Sequence, residues 1–241
     1  SPVLPEPSWA PEGGASCAME ALDALFVEIV KANPDRRVRV GNPDELKSNH
    51  MGATLDLLRH RVNAPEPGAP EAVDGAVITA LNEEAVIGAA LGNKGGLNLA
   101  VSYEAFAMKM LGALRQDIIF ARRQREIGAP PRWLSVALIA TSHTWENAKN
   151  EQSHQDPTLP EALLGEMADT ARVLFPIDAN SAAASLRSVY ASHGQIACLV
   201  TPKRAVARLL SGARAQQAVA DGAALLLGDP READLQFVAI G

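Results

Sequence analysis

The run Trp133 to Ala140, WLSVALIA, is apolar at nearly every position. A strand with no polar face has to lie inside a sheet covered on both sides, the environment of a parallel sheet flanked by helices. Other short β-rich runs occur at Val38 to Val40, Ala76 to Thr79, Val173 to Phe175, Ile196 to Thr201 and Leu235 to Ile240, mostly separated by helical patterns. That alternation predicts an α/β fold, mainly a parallel sheet with helices on both faces, in which the apolar run from Leu134 to Ala140 takes the centre. From Cys17 to Lys31 the residues Met19, Leu22, Leu25, Phe26 and Ile29 recur at helical spacing, and Asn33-Pro34 stops the helix. A longer helix is expected from about Tyr103 to Glu126, with Arg122, Arg123 and Arg125 at the negative end of its dipole. The first fourteen residues hold four prolines and two glycines, so residues 1–16 are read as an extended arm and 17–241 as one α/β domain.

Composition removes several function classes. Apolar residues make up 47% and charged residues 21%, enough to bury a core and far from the composition of disordered chains. A net charge of −6 argues against nucleic acid as a partner, because phosphate binding needs clustered cations. Two cysteines, Cys17 and Cys198, far apart in sequence, indicate neither a disulfide framework nor a metal knuckle. No apolar run approaches the ~18 residues of a membrane span, and the N-terminus lacks a basic segment followed by an apolar one. The expectation is a soluble, cytoplasmic chain with no membrane partner, not processed for export.

Four segments carry the polar chemistry. TSHTWENAKNEQSHQDP, Thr141 to Pro157, follows the most apolar strand, where open α/β sheets bind ligands. The competing reading is a long solvated loop. LNEEAVIG, Leu81 to Gly88, follows another strand and opens a helix; its adjacent carboxylates serve either a site or merely the helix dipole. GNPDELKSN, Gly41 to Asn49, and SYEAF, Ser102 to Phe106, are each compatible with an ordinary helix start.

In this order the segments, together with FPIDAN, resemble the central domain of the phosphoketolase family, thiamine-diphosphate enzymes related to transketolase. Phosphoketolases read approximately GPDETxSN, LSEHxxxG, SYEAF, TSHxWRQDHNGFSHQDP and PPDAN. The SYEAF and SHQDP runs are intact here, and the likeness extends over nearly the whole chain. It implies the thiamine-diphosphate-binding fold of the pyrimidine domain alone. The family's diphosphate domain supplies a GDG motif and a downstream Asn that hold Mg²⁺, whereas here Asp74-Gly75 and Asp221-Gly222 lack the preceding glycine. The resemblance therefore implies thiamine diphosphate as cofactor, no metal ligand on this chain, Mg²⁺ ligands on a partner subunit carrying GDG, and a hetero-oligomer such as a heterotetramer.

Residue by residue, the resemblance gives Glu83 the role of hydrogen-bonding the aminopyrimidine ring, buried at a helix start, with Glu84 as the alternative one residue on. Tyr103 matches an active-site tyrosine, and Ser48 a cofactor-side hydroxyl. His154 and Asn150 coincide with substrate-facing residues, while Asn147 replaces a glutamine, Lys149 a histidine, and Ala148 and Glu151 the residues beside them. Arg125, Lys203 and Ser48 align with positions suited to a sugar phosphate. His143 and Asp156 are expected to hold the loop by hydrogen bonds, and His50, His60 and His193 to serve the surface or packing. The implied activity is cleavage of a phosphorylated ketose; transfer of the two-carbon unit to another acceptor and a non-catalytic assembly role are the alternatives.

Overall fold

The computed structural model describes residues 1–43, 46–146, 153–228 and 231 of the chain. In chain order the elements are β1 (Ala15–Cys17), α1 (Ala18–Lys31), β2 (Val38–Asn42), α2 (Gly52–Leu58), β3 (His60–Arg61), β4 (Glu71–Ala72), β5 (Val77–Thr79), α3 (Glu83–Leu91) and β6 (Leu97–Tyr103). They continue with α4 (Glu104–Ala107), a 3₁₀ turn (Met108–Met110), α5 (Leu111–Glu126), β7 (Val136–Thr141), a second 3₁₀ turn (Thr144–Glu146), α6 (Thr158–Leu164), β8 (Ala171–Leu174), α7 (Ala179–Tyr190), β9 (Ile196–Val200), β10 (Ala205–Ala207) and α8 (Gly212–Asp221). Eight strands form one sheet in the order β4-β3-β5-β2-β6-β7-β9-β8, and β1 pairs with β10 in a separate antiparallel ribbon. Every pairing in the large sheet is parallel.

The pleat sends alternate residues of each strand into two cores. Leu97, Leu99 and Val101 of β6 and Ala137 and Ile139 of β7 meet Phe26, Leu22 and Met19 of α1 and Leu186 and Tyr190 of α7 on one face. Ala100 of β6, Leu138 and Ala140 of β7 and Cys198 of β9 meet Ile87 of α3, Leu114 and Ile118 of α5 and Leu163 of α6 on the other. Helices therefore cover both faces, which is why β7 needs no polar positions.

Two expectations need correction. β7 is internal, between β6 and β9, but the middle of the sheet is β2 beside β6. Tyr103 ends β6 rather than opening a helix, and the helical stretch after it is broken by the turn at Met108–Met110. The strand expected at Leu235 to Ile240 lies outside the described residues.

Tyr190 is fully buried, stacks on Phe26 with ring centroids 6.1 Å apart, and donates its hydroxyl to the Asn98 carbonyl at 2.8 Å. Burial pushes the phenol far above its ordinary range, so it stays neutral. Tyr190→Phe is expected to cost about 1 kcal/mol, the net worth of one buried hydrogen bond, read as a lower urea midpoint at unchanged slope.

The N-terminal segment runs without helix or strand before β1. Val3 and the Asn33 side chain exchange two hydrogen bonds at 2.8 Å, Ala10 exchanges two with the Asn180 side chain, and the Trp9 ring lies against Gly212.

Candidate functional site

Because the large sheet is parallel, β2, β5, β6, β7 and β9 end on one edge, and the polar segments read from the sequence follow those ends. Asn42 closes β2 and donates to the Val101 carbonyl at 2.9 Å. Asn49 accepts from the Thr141 hydroxyl at the end of β7. These bonds tie three strand ends into the floor of an open cleft of about 190 Å³, walled by Pro43, Leu81, Glu83, Tyr103, Phe106 and Lys109.

Glu83 is the first residue of α3, and Asn82 caps that helix by accepting from the Ala85 amide at 2.9 Å. Helix phase then separates the adjacent carboxylates: Glu83 turns into the cleft at 7% exposure, and Glu84 points to solvent. Lys109 Nζ stands 3.5 Å from Glu83 Oε2 and is itself exposed. A buried carboxylate beside the apolar walls of Leu81, Pro43 and Phe106 fits a flat heteroaromatic ring that offers a hydrogen-bonding nitrogen.

Tyr103 is the hub of the second half of the site. Its hydroxyl is 2.9 Å from Ser48 Oγ, Lys203 Nζ lies 4.4 Å from its ring centroid, and the His154 ring meets it edge-on at 4.9 Å. Phe106 supports His154 from another side at 5.2 Å. Lys203 is positioned through its backbone, since the Glu146 carboxylate accepts from the amides of Lys203 and Arg204 at 2.9 and 2.5 Å. The structure thus brings Glu83 and Tyr103 to one cleft and gathers Ser48, His154 and Lys203 around Tyr103.

Arg125 is not brought there. A helix of 16 residues is about 24 Å long, and Arg125 sits in the last turn of α5. It bonds the Asp169 carbonyl at 2.8 Å and pairs with the Asp169 carboxylate, next to the turns that precede β8 and β9, at the edge where strands begin. Asn147, Lys149 and Asn150 lie outside the described residues. Burial holds the His143 imidazole below its usual range, so it is neutral, and Asp156 accepts from the Thr158 hydroxyl and amide at the start of α6, which holds its carboxyl below the ordinary aspartate range.

Sequence reasoning did not single out Phe106, Glu104, Lys109, Asn49 or Glu146. Phe106 and Glu104 lie inside the intact SYEAF run, and Lys109 falls one helical turn after Phe106. Asn49 closes the matched GNPDELKSN run, and Glu146 lies within the Thr141 to Pro157 run. Among the described residues one group of possible metal ligands stands close together, Cys17, Glu20 and His50, with donor atoms within 4.8 Å of one another. None of the three lines the cleft, the Cys17 thiol donates to the Lys203 carbonyl at 3.1 Å, and a thiol is a poor Mg²⁺ ligand.

The model of the D-xylulose 5-phosphate/D-fructose 6-phosphate phosphoketolase family matches residues 20–192. The chain belongs to the phosphoketolase family. It is 29% identical over 209 residues to a probable phosphoketolase of Streptomyces avermitilis, covering 85% of this chain and 26% of that protein. Against the xylulose-5-phosphate phosphoketolase of Lactiplantibacillus pentosus it is 28% identical over 224 residues, 89% of this chain and 28% of that one. The chain therefore spans about a quarter of the length of these phosphoketolases. Solved transketolases share the fold: one from Pichia stipitis superposes with a TM-score of 0.65 at 17% identity over 92% of this chain and 30% of its own, and one from Campylobacter jejuni with 0.63 at 11% over 86% and 28%. Among the described residues no helix is long and apolar enough to cross a membrane.

Proposed function

We propose that this chain supplies the pyrimidine-binding half of a thiamine-diphosphate site that cleaves a phosphorylated ketose, and that a partner subunit carrying GDG supplies the diphosphate and Mg²⁺ ligands. The observation that carries this reading is Glu83: a carboxylate buried at a helix start, facing an apolar-walled cleft with an exposed lysine beside it, is suited to a ring nitrogen. When bound, thiamine diphosphate supplies the carbon nucleophile and electron sink for carbon–carbon cleavage. In this chain Glu83 holds the proton shared with the pyrimidine ring, and Phe106 and Leu81 shield that ring from water. Tyr103 and His154 face the substrate, with His154 moving a proton at its hydroxyls, while Lys203 and Ser48 attract its phosphate. The replacements at Asn147, Ala148, Lys149 and Glu151 favour a second reading, ketol transfer to another acceptor, because they change the donors expected around the ketose.

The test is calorimetry with thiamine diphosphate and Mg²⁺, on the chain alone and mixed with the candidate partner. The chain alone should bind weakly or not at all, and the mixture should bind with Mg²⁺ dependence and sediment as a larger assembly such as a heterotetramer. Tight, Mg²⁺-dependent binding by the isolated chain, or failure of the mixture to associate, overturns the partner assignment.

A further inference from the structure

Glu104 lies inside the SYEAF run, where an acidic residue at a helix start is ordinarily an exposed complement to the dipole. Here it is completely buried, and α4 is only four residues long. Its Oε2 accepts from the Thr144 hydroxyl at 2.9 Å and from the Asp156 amide at 3.0 Å, while Oε1 is buried without a partner. The next amide, that of Ala105, donates to the His154 carbonyl at 3.0 Å. Thr144 stands just after β7 and Asp156 just before α6, so one carboxylate oxygen grips both ends of the polar segment that carries His154.

As a packing residue Glu104 is a poor choice. A buried carboxylate with one unsatisfied oxygen costs free energy that an apolar side chain of similar size would not. Burial accordingly pushes its carboxyl above the ordinary glutamate range, with the Thr144 and Asp156 bonds opposing and the Asp156 charge adding to the rise. The segment's beginning has a second anchor in Glu146, which holds the Lys203 and Arg204 amides. Its end, where His154 stands against Tyr103, is fixed to the SYEAF turn by Glu104 and the Ala105 amide. We infer that Glu104 is a positioning residue, which sets His154 against Tyr103 by clamping the His154–Asp156 end of the loop. This rests on the reading of His154 as a substrate-facing group, but the clamp itself is measurable without substrate.

The experiment follows amide hydrogen exchange in the full chain for Glu104→Leu, which fills the space without an acceptor, and Glu104→Gln, which keeps one. Glu104→Leu should raise exchange at Asp156 and Ala105 by about tenfold or more, the scale of a lost charge-assisted bond, with β7 amides unchanged. Glu104→Gln should restore protection to near the parent level. If Glu104→Leu does not fold, Thr144→Val, which removes the hydroxyl donor, should still raise exchange from residues 143 to 146. Unchanged exchange at Asp156 and Ala105, or a rise that includes β7, overturns the clamp. Exchange behaving as expected while ketose cleavage by the assembled enzyme is the same in Glu104→Leu as in the parent would leave the clamp standing and sink the role of His154.

Discussion

In the assembled enzyme with cofactor bound, Glu83→Gln is expected to slow exchange of the cofactor's C2 proton by roughly 10²-fold or more, the scale of general acid–base catalysis. Glutamine keeps the shape of the side chain, but its amide does not ionise and so cannot pass a proton to or from a ring nitrogen. The substitution also removes the ion pair with Lys109, whose ammonium is 64% exposed, and such pairs contribute at most about 1 kcal/mol. Folding and assembly should therefore survive, isolating the chemical effect. Glu84→Gln, one residue on and exposed, should cost no more than a few tenths of a kcal/mol through the dipole of α3. Hydrogen–deuterium exchange at C2 separates the outcomes. Loss of exchange in Glu84→Gln but not in Glu83→Gln moves the role by one residue, and no effect from either removes the basis of the proposed function.

Gly41→Ala should be nearly as damaging by a different route. Gly41 lies in β2 under α3, and a methyl group there would stand 2.4 Å from the Val86 carbonyl oxygen and 2.9 Å from its carbon. Both atoms are backbone, so the strain has to be relieved by moving the helix that carries Glu83. Overpacking of this kind costs about 1–3 kcal/mol, which lowers Tm by about 2–4 °C for each kcal/mol in a domain of this size. Cofactor binding in the assembly should weaken as well, because the Glu83 carboxylate moves with its helix. Gly88→Ala, two residues beyond Val86, is the matching control. A methyl group there meets nothing within 4 Å, so the change should stabilise the chain by roughly 0.5–1 kcal/mol through helix propensity. Equal melting temperatures for the two variants would refute the close approach of β2 and α3.

Strands whose side chains are apolar on both faces could be read from the sequence, and β6 shows why the rest could not. LNLAVSY is buried at every position yet contains Asn98, Ser102 and Tyr103. Asn98 is tolerated because it exchanges hydrogen bonds of 2.8 Å with Asn93, a partner that no periodicity reveals. β1, β3, β4 and β10 are only two or three residues long and owe their pairing to what they lie against. The motifs singled out Glu83, Tyr103 and His154, and the structure places each at or beyond a strand end. Arg125 lies apart from them, in the last turn of α5 against Asp169, and a linear match says nothing about which end of α5 faces the cleft. Glu104 was passed over because an acid at a helix start has a bland local explanation until its burial is known.

The attachment of the N-terminal segment bears on how the protein is made. Ala10 is held by Asn180, Trp9 rests on Gly212, and β1 pairs with β10, so residues 9–17 bind partners that are made about 170 to 200 positions later. At typical synthesis rates of about 5–20 residues per second, that interval is on the order of 10 to 40 s. For that time residues 9–17, β1 with Cys17 included, lack these partners, whereas Val3 already has Asn33 only 30 positions on. The β1–β10 ribbon and the contacts of Trp9 and Ala10 are therefore long-range closures, which can form only once α7, β10 and the start of α8 have been made.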